Sequence, residues 1–131
     1  MTKTVDLAVN GGLMRGMDAN DRLIAVNAQF VREDTTEPIY RLFTIDDRYP
    51  AMLRVAEGGN TIALEIWAIP LEGFAEVLIG EPPGLSIGKV RLANGTEVLG
   101  VLGEAIMCTK KREITQYGGW KNYLAHVGVL K

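Results

Sequence analysis

Asp6-Leu7-Ala8-Val9-Asn10-Gly11-Gly12-Leu13-Met14-Arg15-Gly16 is the stretch from which the rest of the chain is read. Val5 to Val9 reads as a first strand that stops abruptly at two glycines. Glycine at that point admits positive φ and lets a ligand approach the main chain closely. Successive N–H groups in such a turn form a concave anion site that needs no cationic side chain. Arg15 follows immediately and is able to pair with a carboxylate. The stretch therefore predicts the floor of a small-acid pocket made by Asn10, Gly11, Gly12, Leu13, Met14 and Arg15. The alternative is a plain tight turn.

Working outward, Asp18 is expected to cap one or two helical turns between Met17 and Leu23. Ile24 to Val31 is rich in β-branched residues and reads as a second strand, followed by a loop from Arg32 to Glu37 closed by Pro38. Ile39 to Ile45 alternates as a strand, and another begins at Tyr49-Pro50 and runs through Val55 to a Glu57-Gly58-Gly59-Asn60 turn. The strongest strand is Thr61 to Ile69, apolar on both faces except at Glu65, which places it inside a sheet or barrel. Pro70 opens a helix carrying Leu71, Phe74, Ala75 and Leu78 on one stripe, and Gly80 stops it.

Leu85 to Ala93 and Thr96 to Leu102 flank Asn94-Gly95, a strong hairpin signal. A change of apolar parity across Gly88 predicts a bulge there. Gly103 to Glu113 has no clean period. The last element, Gln116 to Val127, reads as one helix with Thr115 as N-cap and Gly128 as its stop. Strands outnumber helices in meander order, which gives an α+β domain around a small mixed or barrel-like sheet with a few short helices.

Bulk properties narrow the classes of function. A chain of 131 residues, 47% apolar, fits one compact domain spanning 1–131. A net charge of −2 with both signs interspersed argues against a nucleic-acid partner, and Lys110-Lys111-Arg112 is the longest basic run. The single cysteine, Cys108, excludes an intrachain disulfide and a paired-cysteine zinc site. Cys108 and His126 as nucleophile and base have no supporting local motif, and a buried structural thiol is the competing reading. Met1-Thr2-Lys3-Thr4 lacks a leader pattern, and no apolar run approaches the ~20 residues of a membrane helix. The expectation is a cytoplasmic protein with no membrane partner.

Two carboxylates stand out as catalytic candidates. Glu65 lies mid-strand among apolar neighbours, where burial would raise its pKa and suit it to acid–base work. Glu81 follows a helix end and is pinned by Pro82 and Pro83, a rigid elbow for a proton carrier. Against these stand a core carboxylate satisfied by partners and a solvated loop residue. Tyr117-Gly118-Gly119-Trp120 is a second glycine pair, with Tyr117 a candidate pocket hydroxyl and Trp120 and Tyr123 assigned to packing.

Val9-Asn10-Gly11-Gly12-Leu13-Met14-Arg15-Gly16, Tyr49-Pro50-Ala51-Met52, Glu65-Ile66-Trp67 and Leu78-Ile79-Gly80-Glu81 resemble, in order, the landmarks of gamma-glutamylcyclotransferase-like proteins. More closely, the chain is similar to the C-terminal domain of allophanate hydrolase. The matching stretches are Tyr40-Arg41-Leu42, Arg54 to Gly59, Glu65 to Pro70, Ile87-Gly88-Lys89-Val90, Glu113-Ile114-Thr115, Gly118-Gly119-Trp120-Lys121 and Tyr123-Leu124-Ala125. The resemblance runs from about Val5 to Ala125. It implies a gamma-glutamylcyclotransferase-like small mixed β-barrel, six-stranded, with a pocket beside the first loop. It also implies a general-base role for Glu81. Asn10 and Gly12 stand where cyclotransferases carry Tyr and Ser/Thr, and Leu13 stands where the allophanate domains carry an imidazole.

These readings together lead to a small-acid-binding domain, cyclotransferase-like or decarboxylase-like, acting on a carboxylate-bearing amide or carbamate. No metal or organic cofactor is implied. The alternatives are a non-catalytic accessory domain that partners a separate amidase, and a homodimer with a vestigial pocket.

Overall fold

The computed structural model describes residues 3–129. Met1 and Thr2, part of the segment read for a leader, lie outside them. Eight strands and four short helices follow in the order β1 (Thr4–Val9), α1 (Asn20–Ala25), β2 (Gln29–Thr35), β3 (Tyr40–Ile45), β4 (Tyr49–Arg54), β5 (Ala63–Pro70), α2 (Leu71–Ile79), β6 (Leu85–Arg91), β7 (Glu97–Gly103), α3 (Ala105–Cys108), β8 (Arg112–Glu113) and α4 (Trp120–His126). A single 3-10 turn at Thr115–Tyr117 precedes α4. No helix among the described residues is long and apolar enough to cross a membrane.

The strands form an open, two-sheet version of the expected mixed architecture. One sheet has the order β2-β5-β1-β7-β6 and the other β4-β3-β8. β1 sits centrally, antiparallel to β5 and parallel to β7. The apolar faces of β5 explain its place between two neighbours. Leu64, Ile66, Trp67 and Ile69 are all buried, and each such side chain contributes roughly 1.5–3 kcal/mol. The sheets meet where β7 crosses β4: a Cβ on Gly103 would stand 2.6 Å from the Ala51 Cβ.

Several local expectations give way to tertiary context. Ile24 and Ala25 belong to α1, not to a strand, and Asn27 in the left-handed region (φ 63°) follows that helix. Ala19, not Asp18, precedes α1, and no side chain caps it. The second strand is shifted to Gln29–Thr35, so most of the expected Arg32–Glu37 loop is strand. Its exposed, charged residues disguised it, because β2 is a sheet edge, where charge discourages pairing with other chains. The bulge lies in β2 between Phe30 and Arg32, and β6 pairs with β7 in unbroken register through Gly88. Gly88 instead makes room for the Leu102 side chain, whose Cδ1 would lie 2.8 Å from a Cβ there.

The expected C-terminal helix is divided by Gly118 (φ 74°) into the 3-10 turn and α4. Thr115 is not a cap: its Oγ1 accepts from the Leu42 N–H (2.9 Å) and donates to Glu113 Oε2 (2.7 Å), stitching the turn to β3. Gly128 does end the helix, with φ 85° and paired bonds Gly128 N to Ala125 O (3.2 Å) and Val129 N to Leu124 O (2.9 Å).

Gly103→Ala is expected to lower the urea midpoint by the equivalent of about 1–3 kcal/mol, since the added methyl has no room between the sheets. An unchanged midpoint would show that the sheet junction is looser than described.

Candidate functional site

The glycine turn takes its shape from three bonds to its own carbonyls. Met14 N donates to Gly11 O (3.0 Å), Ala19 N to Gly12 O (3.0 Å) and Asn20 Nδ2 to Leu13 O (2.7 Å). The N–H groups of Gly12 and Leu13 find no acceptor among the described residues. Gly11 is required by packing: a Cβ would stand 2.5 Å from Pro50 Cδ on β4. Asn10 is buried and donates from Nδ2 to Val101 O (3.0 Å), which locks the end of β1 to β7.

Asn10 to Leu13 form one side of a cleft of about 480 Å³. Asp18 and Arg22 come from the turn before α1 and from α1 itself, Arg48 from the β3–β4 connection, Tyr49 from the start of β4, and Glu81 from just beyond α2. Asp18 Oδ1 lies 3.3 Å from where a Gly12 Cβ would stand. The β3–β4 connection carries Asp46 and Asp47 in consecutive left-handed conformations (φ 55° and 59°). Asp47 Oδ1 accepts from Tyr123 Oη (2.6 Å) and from Thr44 Oγ1 (2.9 Å), which ties the turn to α4. The Tyr123 and Thr44 hydrogen bonds hold the Asp47 carboxyl below its ordinary pKa despite desolvation. Arg48, exposed at the rim, makes no ion pair among the described residues.

Glu81 enters the cleft just after Gly80, its own N–H bonded to Leu78 O (3.1 Å). Its Oε2 is 3.4 Å from Arg22 Nη1, and the side chain is only 14% exposed. Arg22 is anchored separately, since Nη2 donates to the Val77 carbonyl. Its guanidinium lies against Gly80, where a Cβ would fall 2.5 Å from Cζ. Burial pushes the Glu81 carboxyl above the ordinary glutamate range, and the Arg22 cation and its hydrogen bond offset this only in part.

The other expected site residues lie elsewhere. Met14 is buried in the core, and its N–H is spent on the turn, so it does not line this cleft. Arg15 faces away: its guanidinium covers the Phe30 ring at 3.7 Å and Nη2 bonds Glu33 (2.8 Å). Glu65 is 2% exposed and lies outside the cleft, beside Lys121 and Trp120. It accepts from Arg15 N (2.9 Å), Arg15 Nε (3.1 Å), Trp67 Nε1 (3.1 Å) and Lys121 Nζ (3.1 Å). Desolvation would raise its pKa, as the sequence suggested, but these four donors outweigh it and hold the carboxyl below the ordinary range. Tyr117 packs against the rings of Tyr123 and His126, with centroids at 5.4 and 4.7 Å. Cys108 is buried and its thiol is pushed up to about 11, the condition of an inert structural thiol.

Arg22 and Arg48 were not singled out from the sequence, and Asp18 was read only as a helix cap. Arg22 left one signal, as the only cation between Met17 and Ala25.

Comparison with known proteins places this geometry in context. The family model described as the allophanate hydrolase C-terminal domain matches residues 5–125. The urea amidolyase of Lachancea kluyveri is 34% identical over 128 residues, which cover 92% of this chain and 7% of that protein. The chain thus spans a small fraction of the length of the curated relatives it matches. Among solved structures, a uropathogenic E. coli-specific protein, c4763, is 51% identical with a TM-score of 0.92, covering 95% of this chain and 98% of that one. Kluyveromyces lactis allophanate hydrolase is 30% identical with a TM-score of 0.91, covering 95% of this chain and 22% of that one. An aig2-like protein from Mus musculus, 14% identical with a TM-score of 0.61 over 86% of this chain and 87% of that one, shares the fold.

Glu65→Gln is expected to cost about 2 kcal/mol or more at neutral pH, because it removes the charge that four buried or half-buried donors surround. With its folded-state pKa depressed, Glu65 stabilises the protein above the pKa it has when unfolded and loses that contribution as pH falls through the folded value. The stability gap between wild type and variant should therefore narrow on acidification in denaturant titrations. A gap independent of pH would contradict this.

Proposed function

Because the chain belongs to the allophanate hydrolase C-terminal domain family, we propose that its cleft binds a small carboxylate-bearing amide or carbamate and that Glu81 carries the proton in its conversion. The single observation that carries this reading is a half-enclosed carboxylate with a raised pKa, facing the same cleft as the free amides of Gly12 and Leu13.

The cleft offers both signs of charge. The two amides and the cations of Arg22 and Arg48 suit the ligand's carboxylate, while Asp18 suits an N–H donor. In a cyclotransferase-like reaction the ligand's amine nitrogen attacks its own acyl carbon and forms the new C–N bond. Glu81 accepts the N–H proton and returns it to the nitrogen of the departing amine as the old C–N bond breaks. In a carbamate reaction the same carboxyl delivers a proton to the nitrogen from which carbon dioxide leaves. A positioned carboxyl of raised pKa suits either transfer near neutral pH. We place this activity in the cytoplasm, for which the lone, buried Cys108 is suitable.

A second reading follows from the length of the relatives, of which this chain spans 7% in the urea amidolyase comparison. On that reading the domain serves a separate amidase and performs no chemistry of its own.

Incubation with γ-glutamyl amino acids and with allophanate, followed by assay for 5-oxoproline and carbon dioxide, separates the two. Glu81→Gln is expected to reduce turnover at least ~10²-fold while ligand binding persists. As a base, Glu81 must be ionised, so kcat/KM should fall as pH drops through a midpoint above the ordinary glutamate range. Full turnover by the variant would overturn the assignment of Glu81, and absence of turnover on either substrate class would favour the accessory reading.

A further inference from the structure

Resting on the reading of the cleft just given, we propose that Arg22 is a carboxylate-binding residue that releases Glu81 when a ligand's carboxylate arrives, so that the proton carrier is unpaired only in the filled site. The Arg22–Glu81 contact is a single bond of 3.4 Å, long for a charged pair and without a second, parallel bond. Arg22 does not depend on it for its position. The Val77 carbonyl and the close approach to Gly80 hold the guanidinium where it is. Its side chain is 29% exposed against 14% for Glu81, so the guanidinium is the more accessible partner from the cleft. A ligand carboxylate can bond a guanidinium fixed in this way without rebuilding the wall.

The remaining charged groups of the cleft leave this exchange open. Asp47 is committed to Tyr123 and Thr44, and Tyr49 is a phenol on β4. Asp18 precedes α1 beside Gly12, and Arg48 stands exposed at the rim as a second cation for an incoming anion. Once the ligand's carboxylate takes Arg22 Nη1, Glu81 loses that hydrogen bond and has a like charge for a neighbour. Both changes strengthen its hold on a proton. The proton it then takes is the one leaving the ligand nitrogen, and no other group is consumed. By linkage, binding of a carboxylate ligand is tighter at lower pH across the titration of Glu81. The site thus selects for a substrate whose carboxylate lies close to the nitrogen that exchanges its proton.

The test is an NMR titration of the Glu81 side-chain carboxyl carbon with and without saturating N-acetylglycine, a carboxylate-bearing amide with no group that titrates near neutrality. In the wild type the midpoint should rise by about one pH unit when the ligand is bound. In Arg22→Gln the midpoint of the free protein should already be raised, ligand should move it little, and affinity should fall about tenfold. Arg22→Lys should restore part of both effects. An unmoved wild-type midpoint, with the Gly12 and Leu13 amide resonances shifting on ligand addition, would overturn the exchange and leave the binding cleft standing. No shift at any cleft resonance would overturn both. The wild-type comparison alone decides the matter if a variant folds poorly.

Discussion

A buried carboxylate surrounded by donors holds the loop that lines this molecule's main cleft in place. Glu65, on a strand otherwise apolar on both faces, would be costly to bury as a lone charge. It is retained because the Arg15 backbone and side chain, Trp67 and Lys121 all donate to it. Those bonds join three parts of the chain: the loop after β1, β5 and the first turn of α4. With Arg15 tied down behind it, the Gly11–Leu13 turn has one face against the core and the other against the cleft. The glutamate that the sequence marks as an acid–base candidate is thus a fastening for the turn that lines the cleft.

The contrast between Glu65 and Glu81 is one of partners, not of burial alone. Both are withdrawn from water, and desolvation is the largest influence on each. Glu65 has enough donors to stay ionised, whereas Glu81 has one long contact to Arg22 and is left with a raised pKa. A carboxyl with too few donors is the one able to exchange protons near neutrality. This difference follows from the topology. β5 is flanked by β1 and β2 and receives donors from neighbouring segments, while Glu81 sits at a helix end before two prolines that have no N–H to give.

Much of the scaffold was legible from local pattern. The two-faced apolar run of β5, the strand before the glycines, the Asn94-Gly95 hairpin and the Gly128 stop each have a short-range cause that composition records. The errors fall where a neighbour decides. β2 is polar because it is an edge, Gly88 exists for a side chain on the facing strand, and Thr115 is held by β3 and not by its own helix. The meeting of Glu81 and the glycine turn at one cleft was legible. Arg22 was not, because packing alone brings α1 to the end of α2. Arg15 was misread for the same reason: its sequence position states its charge but not its direction, and Glu33, Glu65 and the Phe30 ring all draw it the other way.

The central claim is that the anchored turn, Arg22 and Glu81 share one ligand site. A crystal structure of the protein grown with N-acetylglycine tests it most directly. The account predicts the ligand's carboxylate within hydrogen-bond distance of the Gly12 and Leu13 amides and Arg22, with a Glu81 oxygen about 3 Å from its N–H. A ligand bound elsewhere, or a Glu81 turned out of an empty cleft, would contradict it.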